Sequence, residues 1–151
     1  MKRRRTVRIV FALCVWCVMF QGIARGVEAR GSRQLAAGLT RDALKLMQAG
    51  EYAPAAVKLE AAAKLATSSP AIRYNLACAY SRLGRADEAV AALEQAVTAG
   101  MVRFAHIERD PDLEPLRSHA EYRRLMGEKK TYLDADVDRR LKTLRGKLGK
   151  P

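Results

Sequence analysis

Three groupings in this chain have residue types and spacing that could do chemistry. Cys14-Val15-Trp16-Cys17 has the two-residue gap of a redox or metal pair. It lies inside the uncharged apolar run Ile9 to Phe20, so both cysteines read as small apolar filler. Asp134-Ala135-Asp136-Val137-Asp138 has the form of the first five positions of a calcium loop. Arg139 then stands where that loop needs glycine for its sharp turn, and Arg145 where a bidentate glutamate should complete the cage. The aspartates read instead as charge near a helix start, with Asp138 and Lys142 spaced as an i,i+4 ion pair. The third grouping is the histidines, His106 and His119. Neither belongs to an H-E-x-x-H zinc motif, and no phosphate-binding loop or nucleophile elbow occurs anywhere. The residues therefore predict no catalytic centre, no metal and no cofactor, and the chain is expected not to be an enzyme.

Helices are what this sequence has in quantity. Alanine is plentiful and proline scarce, with 5 in 151 residues, which favours helix over strand. A 34-residue echo organises them: Gly50 recurs as Gly84, Ala55 as Ala89, Leu59 as Leu93 and Ala62 as Ala96. The outbound helix of the first hairpin is expected from Ser32 or Arg33 to Gln48, with Leu39, Ala43 and Leu46 on one stripe. Ala49-Gly50 should end it, and Pro54 suits the first turn of the return helix. Thr67-Ser68-Ser69-Pro70 reads as the linker to a second hairpin, whose return helix is given Asp87 as its N-cap. Ala77, Ala89 and Ala96 keep the helix axes close, and Leu76, Tyr80, Leu83 and Leu93 fill the remaining space.

The run Leu76-Ala77, Tyr80, Gly84, Ala89, Leu93 and Ala96 resembles the tetratricopeptide repeat family. It departs in having Arg73 where the family often has tryptophan and Met101 where it often has proline. The resemblance implies an all-α fold of antiparallel helical hairpins, with repeats at about 36–69 and 70–103. Two hairpins are too few to bury their own apolar faces, so something must close the array. Asp110-Pro111-Asp112-Leu113 carries an acidic cap with proline at the first helical position, and Leu116, Tyr122, Leu125 and Met126 supply apolar anchors. Ser118-His119-Ala120-Glu121 has the S-x-x-E form of a capping box. The stretch Asp110 to Met126 resembles a terminal element of short repeat arrays in bacterial proteins, giving a cap over 104–126 and a repeat domain over 30–126.

The net charge of +12 belongs to the two ends: residues 1–29 carry +5, residues 123–151 carry +6, and the body is near neutral. The first 29 residues have the form of a signal peptide, with Lys2 to Arg5 and Arg8 before the apolar run and Val27-Glu28-Ala29 as a cleavage site ahead of Arg30. Ala24 offers a second cleavage point, and the rival reading is an uncleaved inner-membrane anchor over residues 9–23. That run is 15 residues, whereas about 20 are needed to cross a bilayer. An exported, periplasmic protein is expected. Cys78 would then be the one cysteine of the mature chain, either an inert buried thiol or the site of an intermolecular bridge.

Residues 127–151 are expected to form a basic amphipathic helix with Leu133, Val137, Leu141, Leu144 and Leu148 in one stripe. Three uses stay open for it: docking on the repeat body, self-association or partner pairing, and contact with an anionic membrane or polymer. Aromatic residues for base stacking are scarce there, which argues against nucleic acid.

The family resemblance places a partner along the concave face lined by outbound helices. Carried over by position, the partner-binding candidates are Thr40, Leu44, Met47 and Gln48 from the first unit, and Tyr74, Asn75, Cys78, Ser81 and Arg82 from the second. The expected function is a non-enzymatic scaffold or adaptor that binds another protein of the bacterial cell envelope. The alternative is a structural or assembly subunit whose C-terminal helix drives oligomerisation or envelope attachment.

Overall fold

A computed structural model describes residues 30–148, so the leader-like segment and its cysteine pair lie outside the described residues. The fold is all-α, with no strand among the described residues. The first described helix, α1, covers 30–48. It is followed by α2 (Tyr52–Leu65), α3 (Pro70–Arg82), α4 (Ala86–Thr98) and the short α5 (Phe104–Arg109). A 3-10 helix (Pro111–Leu116), α6 (Ala120–Gly127) and α7 (Lys129–Leu148) complete the described residues. Among the described residues no helix is long and apolar enough to cross a membrane.

Both hairpin turns close in the same way. After α1, the Glu51 N–H donates to the Leu46 carbonyl at 2.8 Å and the Gly50 N–H to Met47 at 3.0 Å. After α3, Arg85 donates to Tyr80 at 2.9 Å and Gly84 to Ser81 at 3.0 Å. This paired bonding satisfies carbonyls that a helix end leaves bare, and it needs one residue in the left-handed region. Gly50 (φ 78°) and Gly84 (φ 74°) are that residue, which is why the 34-residue echo is anchored on glycine.

Alanines set the distance between helices. Ala43, Ala55, Ala62, Ala77, Ala89 and Ala96 are fully buried, letting the axes approach closely enough for Leu59 and Leu93 to be sealed in. Each leucine so enclosed contributes roughly 1.5–3 kcal/mol relative to exposure. The central element is α3, which touches α2, α4 and the 3-10 helix. Its residues from Leu76 through Ser81 are buried without a break, along with Ile72 and Tyr74. A helix enclosed on so many sides carries only a weak amphipathic signal. Arg73, at the position where tryptophan is common, donates to the Thr67 carbonyl at 2.6 Å and to Gln95, tying the α2–α3 turn to α4.

The closing unit is built as a fold-back. Ile107, Leu113, Leu116 and Leu125 are buried in the same core as Leu59 and Leu93. Asp110 caps the 3-10 helix, its Oδ1 accepting from the Asp112 N–H at 2.9 Å. The expected capping box at 118–121 does not form. His119 holds the N-cap position without a side-chain capping bond, and Glu121 pairs with Arg124 at 2.7 Å instead. The N-cap of α4 is Arg85, so Asp87 sits in the first turn, where it still favours the helix dipole. Its Oδ1 lies 3.1 Å from His119 Nε2. Pro70 opens α3 rather than ending the linker.

Helix α7 attaches by its first half only. Tyr132 lies against Phe104 with ring centroids 6.3 Å apart, and Lys129 reaches Glu108 at 3.1 Å. Asp136 is buried and held by Arg139 at 3.1 Å and Arg140 at 2.6 Å. Arg139 also donates to the Thr98 carbonyl at 3.4 Å. Asp134, Asp136 and Asp138 stand on continuous helix, which rules out the turn that a calcium loop requires.

Candidate functional site

A groove of about 920 Å³ opens where the first part of α1, the end of α2 and the start of α3 meet. Its α1 wall is the row Ser32, Ala36, Thr40 and Leu44, spaced at one helical turn. Ala66, Ala71 and Ile72 line the opposite side. From Ser32 through Thr40 the α1 row is short-chained, which leaves that end of the trough open. Thr40 Oγ1 donates back to the Ala36 carbonyl at 2.7 Å, so its hydroxyl is satisfied within the helix and its methyl adds to the apolar lining. Arg33 and Arg41 also line the groove and are exposed, and neither forms an ion pair with a described acid. The surface combines an apolar floor with unpaired positive charge at its rim.

The nine residues read from the sequence separate into two fates. Thr40 and Leu44 line this groove. Met47 is half-buried against the core and Gln48 is exposed; neither lines it. Tyr74, Cys78 and Ser81 are buried, and Tyr74 and Cys78 meet Asp110 at the head of the chain's own 3-10 helix. For those three the expectation of an open concave surface is corrected, because the closing segment folds across α3. Asn75 is half-buried on α3. Arg82 is exposed, 3.8 Å from Asp112 and with its guanidinium 5.1 Å from the Tyr52 ring centroid. The sequence reading missed Arg33, Ala36, Arg41 and the α2–α3 turn. The one signal available was the unusual smallness of the Ser32–Ala36–Thr40 row.

Asp110 is the centre of a polar knot under the fold-back. Its Oδ2 accepts from the Tyr74 hydroxyl, lies 3.9 Å from Cys78 Sγ and is 3.8 Å from His106 Nε2. Burial first, and then the hydrogen bond to Asp110, push the Tyr74 phenol up from its ordinary range. Burial and the neighbouring Asp110 and Asp112 carboxylates raise the Cys78 thiol as well. Cys78, Asp110 and Asp112 could each offer a ligand atom within 4.8 Å of the others. Metal binding by sulfur needs the thiolate, and this environment favours the thiol. Asp110 is already engaged by Tyr74 and by the Asp112 N–H. The knot therefore works as a latch that holds the cap on α3.

Antiparallel helix pairs with glycine turns at a fixed period, stacked on alanine, define an all-α helical-repeat protein. Residues 46–101 match the family model described as tetratricopeptide repeat, so this stretch of the chain carries tetratricopeptide-repeat character. It is similar to a chloroplastic protein of Arabidopsis thaliana, with 32% identity over 85 residues. That stretch covers 54% of this chain and 25% of the plant protein, so the chain spans about a quarter of that relative's length. No solved structure matches the chain. Tetratricopeptide repeats generally mediate protein–protein interaction and are typically non-enzymatic.

Proposed function

We propose that this protein is a non-enzymatic adaptor of the bacterial cell envelope that holds a segment of a partner protein in the groove between α1 and the α2–α3 turn. The observation that carries the reading is the groove itself. It is an open apolar trough of about 920 Å³, edged by two arginines without an acidic partner among the described residues. Such a surface suits an apolar peptide or helix flanked by carboxylates, with the floor giving affinity and the arginines setting register. Placement in the envelope rests on the N-terminal pattern of basic residues, apolar run and small residues before Arg30.

Site-specific photocrosslinking in cells tests both parts. A photoreactive residue at Ala37, exposed on the groove wall, should capture a discrete partner; one at Val57, exposed on α2 outside the groove, should not. Equal capture at both positions would remove the groove from the mechanism. Sequencing the N-terminus of the cellular protein should find Arg30, or Arg25 if cleavage follows Ala24. A start at Met1 would overturn cleavage, and exclusively cytoplasmic partners would overturn export.

A further inference from the structure

Helix α7 presents three parallel rows of side chains, each offset from the next by one residue. Tyr132, Asp136 and Arg140 form the row whose N-terminal part meets the body, where Asp136 is buried. Beside it run Leu133, Val137, Leu141, Leu144 and Leu148, between 41% and 85% exposed. Beyond these come Asp134, Asp138, Lys142 and Arg145. The helix thus docks through a polar and aromatic row and turns its apolar row outward. From Arg140 onward every described side chain is exposed. A helical arm of that length gains little stability from propensity alone and is expected to have a packing partner.

We propose that a second copy of this chain covers the apolar row, with the two α7 helices antiparallel about a twofold axis near Leu141. The row is close to palindromic. In a register centred between Arg140 and Leu141, Leu133 falls beside the copy's Leu148 and Val137 beside its Leu144, with the two Leu141 side chains flanking the axis. The charged row selects the direction, because it is acidic in its first half and basic in its second. A twofold axis perpendicular to antiparallel helices brings like rows to the same side of the seam. Asp134 then meets the copy's Arg145, and Asp138 meets its Lys142, with both pairs repeated by symmetry. Parallel pairing would set Lys142 and Arg145 against Arg140 and Lys147 of the copy, all four positive.

Lys142 and Arg145 have no acidic partner among the described residues, and Asp134 is held only by an exposed i,i+4 contact to Lys130 at 2.8 Å. An exposed pair of that kind is worth little and exchanges readily. An anionic membrane fits the row less well. The stripe holds no aromatic residue, and Asp134 and Asp138 border it on the polar side. The seam from Leu133 to Leu148 runs about 22 Å at ~1.5 Å per residue, which places the dimer at the weak end of specific interfaces. This contact uses α7, none of whose residues lines the α1 groove, and stands or falls independently of it.

Sedimentation velocity of the full chain, with two charge-reversed variants, tests the proposal. The wild type should show a concentration-dependent monomer–dimer equilibrium in the micromolar range. Asp134→Lys with Asp138→Lys, and separately Lys142→Glu with Arg145→Glu, should each weaken self-association at least about tenfold. An equimolar mixture of the two variants should restore it, since each supplies the charges that the other now requires. In a Leu141→Cys variant, oxidation should link two copies through position 141, while Leu148→Cys should not link to itself. The repeat body of every variant should unfold at the wild-type temperature, since all these side chains are exposed. A chain that stays monomeric, or variants that associate as the wild type does, would overturn the proposal. So would a mixture no better than its parts. Salt-sensitive binding of the monomer to phosphatidylglycerol vesicles would replace the second copy with a membrane surface.

Discussion

Replacing Asp110 with alanine removes two interactions that serve the same joint. The first is the side-chain cap on the Asp112 N–H at 2.9 Å, whose loss costs about 1 kcal/mol. The second is the acceptor for the buried Tyr74 hydroxyl, which would be left unpaired at roughly 1–3 kcal/mol. The expected cost of Asp110→Ala is therefore about 2–4 kcal/mol, a large share of the stability of a small domain. Tyr74→Phe, which removes donor and hydroxyl together, should cost only about 1 kcal/mol. In the Tyr74→Phe background the aspartate change should lose its second component and cost about 1 kcal/mol, giving a coupling energy of at least about 1 kcal/mol. Urea denaturation of the four proteins, followed by far-ultraviolet circular dichroism, measures the cycle. Strictly additive costs, or a cost for Asp110→Ala below about 0.5 kcal/mol, would refute the latch.

Gly84→Ala should cost about 1–2 kcal/mol, through backbone strain at φ 74° alone, because an added Cβ would meet nothing within 4 Å; thermal melting measures it. Leu93→Ala should cost about 2–5 kcal/mol in urea, whereas Val57→Ala, at a largely exposed position, should stay within about 0.5 kcal/mol. Burial and the Glu60 hydrogen bond push the Tyr80 phenol up to about 12. A folded-state value raised above the unfolded one of about 10 favours the folded state while the phenol is protonated. Stability should thus be fully present below about pH 10 and be lost as pH rises through about 12, with a shallower decline in Tyr80→Phe, as alkaline unfolding curves would show.

The hairpins were legible because their determinants are local. Gly50 and Gly84 mark turns that only a left-handed residue can make, and alanines at a fixed period mark helix crossings. Of the residues that line the groove from α1, Thr40 and Leu44 were among the positions that the family resemblance supplied. Helix caps were less legible. Ser118 with Glu121, and Asp87, satisfy the pattern of a cap, but each helix start is set by the turn that precedes it.

Sequence by itself determined the fold class, the hairpin period, the need for a closing unit and the apolar stripe of α7. Those follow from near-neighbour chemistry repeated along the chain. Tertiary structure alone decided which faces stayed open. Tyr74, Cys78 and Ser81 looked like a binding surface until Asp110, more than thirty residues beyond Tyr74, folded back over α3 and made that face core. Docking of the α7 stripe on the body was one of three open uses until Tyr132 and Asp136, one residue to its side, made the attachment and left the leucines outside. Periodicity tells a helix which residues share a face, but only the path of the distant chain determines what that face meets.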